Sequence, residues 1–151
     1  FRINISSEIV IDLPNSTIAF GDIGQFGTND TTDDKPLPFL IRNDGNAYLN
    51  VTIQASNLWL TASNPTSNYQ FKIDNYTLEN GSFNWALSKT TYTNMFASGS
   101  PQLAIALFNY TNATDTAEID INITVPTDEG SAIRNSTVTV TASLHGGWNG
   151  K

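Results

Sequence analysis

Ten asparagines in this chain stand first in the triplet Asn-X-Ser/Thr with X other than proline: Asn4, Asn15, Asn29, Asn50, Asn75, Asn80, Asn109, Asn112, Asn122 and Asn135. The triplet is the acceptor for an N-linked sugar, carried on the side-chain amide. With 18 Asn and 32 Ser or Thr in 151 residues, random placement would give only about four such triplets. Their phase adds to their number. Asn4, Asn50, Asn122 and Asn135 fall within runs of alternating apolar and polar residues, each on the polar phase that a strand turns to solvent. Asn15, Asn75 and Asn80 fall at turns or strand ends. The sequence therefore predicts dense N-glycosylation.

Other chemistry is sparse. There is no cysteine, so disulfides, thiolate metal sites and a Cys nucleophile are excluded, and the one histidine, His145, adjoins a Gly-rich end. No G-x-S-x-G, H-E-x-x-H or P-loop motif occurs. Asp30, Asp33 and Asp34 cluster in one loop, where Asn29, Thr31 and backbone carbonyls could complete an oxygen shell for Ca²⁺. The D-x-D-x-D-G spacing of an EF-hand is missing, and acidic loops are more often simply solvated. The expectation is no cofactor, with Ca²⁺ at these three aspartates as the alternative. Trp59 and Trp85 lie in apolar strand segments and are expected to pack the core, leaving Trp148 free to stack on a sugar ring.

Composition bounds the partners. The net charge is −7, and the seven basic residues are scattered, which argues against nucleic acid. No run is long enough to span a membrane as a helix. Charged residues make up only 14% of the chain, so uncharged Asn, Thr and Ser must cover the surface. Such a surface suits sugars or an assembly. A start at Phe1 rather than Met is read as the mark of a removed leader.

The elements that must position these residues are strands. Leu37, Phe39 and Ile41 share one phase, and Leu49, Val51, Ile53 and Ala55 share another after Asn43-Asp44-Gly45-Asn46, a sequence that predicts a hairpin. Phe1, Ile3 and Ile5, then Ile9, Ile11 and Leu13, alternate around a break at Ser6-Ser7, predicting two strands closed by Pro14. Further strands are predicted at Thr17–Phe20, Tyr69–Ile73, Phe83–Leu87, Ile119–Val125 and Val138–Leu144. Pro101–Phe108 is apolar on both faces, like a covered central strand. Gly21–Lys35 reads as a long loop. The fold class is all-β: one domain over 1–151, an immunoglobulin-like sandwich of about nine to ten short strands, with an up-and-down barrel as the alternative. Residues 7–145 form its body and 146–151 a Gly-rich tail.

The run TIAFGDIGQFGTNDTTDDKPLPFLIRNDGNAYLNVTIQASNLW, residues 17 to 59, resembles secreted archaeal β-sandwich proteins. In those, an apolar strand, an N-x-G-N turn and an x-L-N-V-T strand precede A-x-x-L-W. The likeness is to archaeal extracellular filament subunits of the thread and bundling-pilus type, related in fold to the bacterial TasA/camelysin fibre proteins. It implies polymerisation by donor-strand complementation, in which an N-terminal strand completes the sandwich of the next subunit. On this sequence the donor would be residues 1–6, with Phe1, Ile3 and Ile5 filling the pockets. An ordinary first strand, paired within its own domain, stands beside that reading.

The leading expectation is thus a non-enzymatic, glycosylated filament subunit at the cell surface, with copies of itself as partners and bundling with other filaments or surfaces open. A glycosylated adhesion or carbohydrate-binding module is the alternative. An enzyme is the third reading and would need a convergent, buried carboxylate pair.

Overall fold

A computed structural model describes residues 1–145, so the end 146–151 and with it Trp148 lie outside the described residues. Strands form where apolar side chains recur at every second position. Along β4 (Leu49–Ala55), Leu49, Val51, Ile53 and Ala55 are buried and the intervening Asn50, Thr52 and Gln54 half-buried. In the same way β5 (Tyr69–Asn75) buries Tyr69, Phe71 and Ile73, while β8 (Thr116–Thr124) turns Ala117, Ile119, Ile121 and Ile123 inward. The other strands are β1 (Ile11–Asn15), β2 (Thr28–Asp30), β3 (Phe39–Asn43), β6 (Thr93–Asn94), β7 (Gln102–Phe108) and β9 (Val138–Leu144).

These nine strands make two antiparallel sheets. The larger runs β1-β3-β8-β5-β6, with β2 paired to the last residues of β8; the smaller runs β7-β4-β9. Between their inner faces sits one core, in which Phe71, Met95, Ile105 and Phe108 are fully buried. The described residues contain no helix. The fold is the expected all-β sandwich, with two separate sheets where a barrel would have one closed sheet.

Several expected elements differ. Leu37–Ile53 is not a hairpin. β3 lies in the large sheet between β1 and β8, whereas β4 lies in the small sheet between β7 and β9. The chain crosses from one sheet to the other at Asn43, whose fully buried carboxamide donates to Ala47 O and Phe108 O and accepts Gly45 N. Alternation requires only a buried face, and two such strands meet that demand equally well side by side or face to face across a core.

The first thirteen residues hold the start of one strand and not two: β1 begins at Ile11, and residues 1–10 are exposed and outside any strand. Thr17–Phe20 is irregular, although Ile18 and Phe20 pack against the core. Phe83–Leu87 is a turn, because Asn84 accepts Leu87 N through Oδ1 and binds Ser88 Oγ through its carbonyl. β7 is an edge strand and not a central one. Ala104 and Ala106 are nonetheless buried, Ala104 within the core cluster, and the turn pairs with their carbonyls along the strand's free edge. The loop Gly21–Lys35 contains β2.

Val51 is fully buried, opposite Ile105 on one side and Ala142 on the other. Val51→Asp would place a carboxylate there without a partner, at a cost of several kcal/mol against a total stability of roughly 5–15 kcal/mol. The expected outcome is loss of the near-UV circular dichroism of the folded chain; a normally folded variant would show that this face is not core.

Candidate functional site

Beside β9 the sandwich stays open. β9 pairs with β4 over its whole length, and among the described residues no strand lies along its other edge. The opposite edge of the small sheet is covered, since Asn84 N and Lys89 N donate to Ala106 O and Ala104 O of β7. Val138, Val140, Ala142 and Leu144 turn toward the core from β9 but remain half-buried. At the Val138 end of β9, against the large sheet, lies a groove of about 940 Å³, walled by Phe39, Tyr69, Ile121, Ile123 and Val138 among others.

Two loops border this groove, and they are held differently. On one side Glu129 accepts Leu60 N at 3.1 Å and Thr61 N at 3.0 Å, together with Thr61 Oγ1 and Arg134 Nε. These donors hold its carboxyl down to about 2. On the other side residues 16–23 form a strap. Ile18, Phe20 and Ile23 pack against the core, yet among the described residues none of 16–23 makes a hydrogen bond. The strap covers apolar surface without pairing with β9.

Phe1, Ile3 and Ile5 are 117%, 68% and 80% exposed. Residues 1–5 make no hydrogen bond within the described residues. The first bond from this end is at Ser6, whose carbonyl accepts Asn46 Nδ2. Pairing of Phe1–Ile5 within its own domain is therefore not seen.

The glycosylation triplets divide by accessibility. Asn4, Asn80, Asn112 and Asn135 are exposed, and their side-chain amides make no hydrogen bond in the described structure. Asn29, Asn50 and Asn75 are half-buried, and Asn50 Oδ1 accepts Leu107 N at a bulge of β7. The amide nitrogens of Asn15, Asn109 and Asn122 are engaged, donating to Pro38 O, Thr114 Oγ1 and Gln70 Oε1. Asn4 and Asn135 lie outside strands, so their outward direction does not come from strand phase.

Chemistry that the alternation did not reveal lies on the outer face of the large sheet. Glu118 and Asp120 occupy outward positions of β8, yet they are only 8% and 1% exposed. The loop after β2 closes over them: Thr31 Oγ1 donates to Asp120 Oδ1 at 2.7 Å, and Thr31 N donates to Ile121 O. Lys72, opposite Asp120 on β5, sits 2.8 Å from Asp74 Oδ2 and 3.9 Å from Asp120 Oδ2, over the Tyr92 ring. Burial pushes the Glu118 carboxyl up to about 7, and the charges of Asp120, Asp34 and Asp74 add to the effect. Asp120 is raised for the same first reason, though Thr31 and Lys72 oppose it. The Tyr92 hydroxyl has no partner among the described residues, and burial raises its pKa too. This is a buried carboxylate pair, but it is not among the walls of the groove beside β9 or of the smaller hollow at Phe26 and Thr124–Asp128.

Asp30, Asp33 and Asp34 do not converge. Asp30 Oδ1 accepts Thr32 N and Thr32 Oγ1, Asp33 Oδ1 accepts Lys35 N, and Asp34 N donates to Thr31 O. Two of the three carboxylates thus bind the loop's own backbone. Among the described residues no group of three His, Cys, Asp or Glu is placed to hold a metal ion. Trp59 is buried, with its indole N–H on Asn68 O. Trp85 is 49% exposed and stacks on Phe83 at 5.9 Å, contrary to its expected place in the core. His145 Nδ1 lies 3.1 Å from Asn50 Oδ1.

The acids give a pH dependence with a definite sign. Glu118 binds its proton more tightly folded, at about 7, than at the reference value of 4.5. Its contribution is fully present below pH 4.5 and is lost as the pH rises through 7. Glu129 acts the other way, present above 4.5 and lost toward 2. Glu118→Gln should therefore raise the melting temperature at pH 8 and leave it nearly unchanged at pH 4.5. Equal melting shifts at both values would show that this carboxyl is not strained in its site.

No protein-family model, curated protein or solved structure matches this chain.

Proposed function

We propose that the chain is the structural subunit of an N-glycosylated extracellular filament at the cell surface, without enzymatic activity. In this reading residues 1–6 of one copy lie along β9 of the next. The observation that carries it is a match of two unfinished parts. One is an alternating segment with no partner among the described residues of its own domain; the other is a strand edge unpaired among the described residues, with a groove of mixed polar and apolar lining at its Val138 end. Set against β9, the segment would turn Phe1, Ile3 and Ile5 toward the core and Arg2, Asn4 and Ser6 outward. Each apolar residue buried there would contribute about 1.5–3 kcal/mol, and a ladder on β9 would satisfy backbone groups that the strap leaves open. Asn4 would keep its amide on the outer face, where a sugar fits.

The buried carboxylates are read as structural, since they lie beneath a loop and outside the groove and the smaller hollow described above. A second reading has its own observation in Trp85. Half-exposed on Phe83, it offers an aromatic platform of the kind that binds sugar rings, which suits an adhesion or carbohydrate-binding module.

Two measurements test the proposal. A chain lacking residues 1–6 should form no filaments, and the synthetic peptide FRINIS should bind it and raise its melting temperature; filaments from the truncated chain would refute the donor role. For the sugars, native mass should exceed the 16.4 kDa polypeptide, with glycopeptides concentrated at Asn4, Asn80, Asn112 and Asn135. A native mass equal to the polypeptide, or glycans mainly at Asn15, Asn109 and Asn122, would contradict it.

A further inference from the structure

The turn Asn43–Asn46, which does not close a hairpin, holds the chain that leads to the first residues. Asp44 N donates to Val10 O at 2.9 Å and Asn46 N to Glu8 O at 3.3 Å. The Asn46 carboxamide adds two bonds, accepting Glu8 N at 2.6 Å and donating to Ser6 O at 3.0 Å. In this it acts like a peptide group of a neighbouring strand, matching the N–H and C=O that flank Ser7 on one side. Beyond Asn43, paired with Ile11, the contacts fall at residues 10, 8 and 6, every second position, as along one edge of a strand. Gly45 permits this approach: a Cβ there would stand 2.2 Å from Glu8 O and 3.2 Å from Val10 N. The hold ends at Ser6, where the free segment begins.

We infer that Asp44, Gly45 and Asn46 form a clasp that aims residues 1–5 of each subunit, and so sets the angle at which it joins a second copy of this chain. The inference rests on the donor-strand reading. A segment bound at alternate residues is held straight, and five residues beyond it reach about 16 Å in extended form. The acceptor groove is fixed to the same body. The direction of the donor relative to that body then determines the rotation and rise from one subunit to the next, as in any head-to-tail contact that does not close into a ring. Asn46 is a positioning residue: it would touch no part of the neighbouring copy's groove.

The test uses the full chain with Asn46→Ala, Asn46→Asp and Gly45→Ala. In Asn46→Ala, amide exchange at Glu8 should accelerate while the melting temperature stays near that of the parent. Its filaments should lose the single helical symmetry of the parent in electron-microscopic averages. Asn46→Asp keeps an acceptor for Glu8 N but no donor for Ser6 O, and should restore order in part. FRINIS peptide, added as a chain terminator, should shorten parent and Asn46→Ala filaments alike, because the groove is untouched. Gly45→Ala displaces residues 8–10 by a different route and should disorder the polymer in the same way. Filaments of Asn46→Ala and Gly45→Ala with the parent's symmetry, or unchanged exchange at Glu8, would overturn the clasp while leaving the donor strand standing. Failure of the parent chain to polymerise or to respond to FRINIS would overturn the donor-strand reading and the clasp with it.

Discussion

A buried carboxamide governs how the two sheets are joined. Asn43 has no access to water, so each polar atom of its side chain must find a partner inside the protein or cost the fold dearly. It finds three, at Ala47 O, Phe108 O and Gly45 N. One end of the chain crossing is thereby tied to β7 of the small sheet, while Asn43 itself belongs to β3 of the large one. A hydrocarbon in its place would fill the space but remove a donor from each of two carbonyls and the acceptor of Gly45 N. The crossing also sets what lies outside it, since the residues that follow Asn43 turn back against residues 6–10.

The treatment of charge follows the same logic on the opposite surface. An open antiparallel sheet can leave its polar face in water, but here the loop after β2 covers part of it. Glu118 and Asp120 lose solvent, and only some of the loss is returned by Thr31 and Lys72. A group that keeps its proton near neutrality in this way is often part of a reactive centre. Here the shift comes first from burial under the covering loop, with the charges of Asp120, Asp34 and Asp74 adding to it. The opposite design appears at Glu129, which is given more donors than any other carboxylate described and is held ionised.

Much of the sandwich was legible in the sequence because period-two patterning fixes which residues are inside. β4, β5 and β9 lie where the alternation of Leu49–Ala55, Tyr69–Ile73 and Val138–Leu144 puts them, and β8 overlaps Ile119–Val125 but begins earlier, at Thr116. What alternation cannot state is which strand lies beside which, and Asn43–Asn46 shows this: a good hairpin turn by residue type serves as a crossing between sheets. Nor can it show what covers an outward face, so Glu118 and Asp120 read as ordinary solvent-facing sheet residues until the covering loop is placed. Trp85 failed for a local reason. Asn84 and Ser88 bracket it with side chains that close a turn, and that signal was present in the sequence beside a more conspicuous apolar spacing.

The unequal borders of the groove carry a consequence for rates. The Glu129 side is nailed by four donors, whereas the strap of residues 16–23 is held by side-chain contact alone. On the donor-strand reading the strap, which has no hydrogen bonds among the described residues, would be the side to open, a door hinged at one jamb. On the reading proposed here, an incoming strand waits for that door. Association would then rise with concentration at first and level off at the rate of strap release, a plateau set by Ile18, Phe20 and Ile23 and not by the strand that arrives.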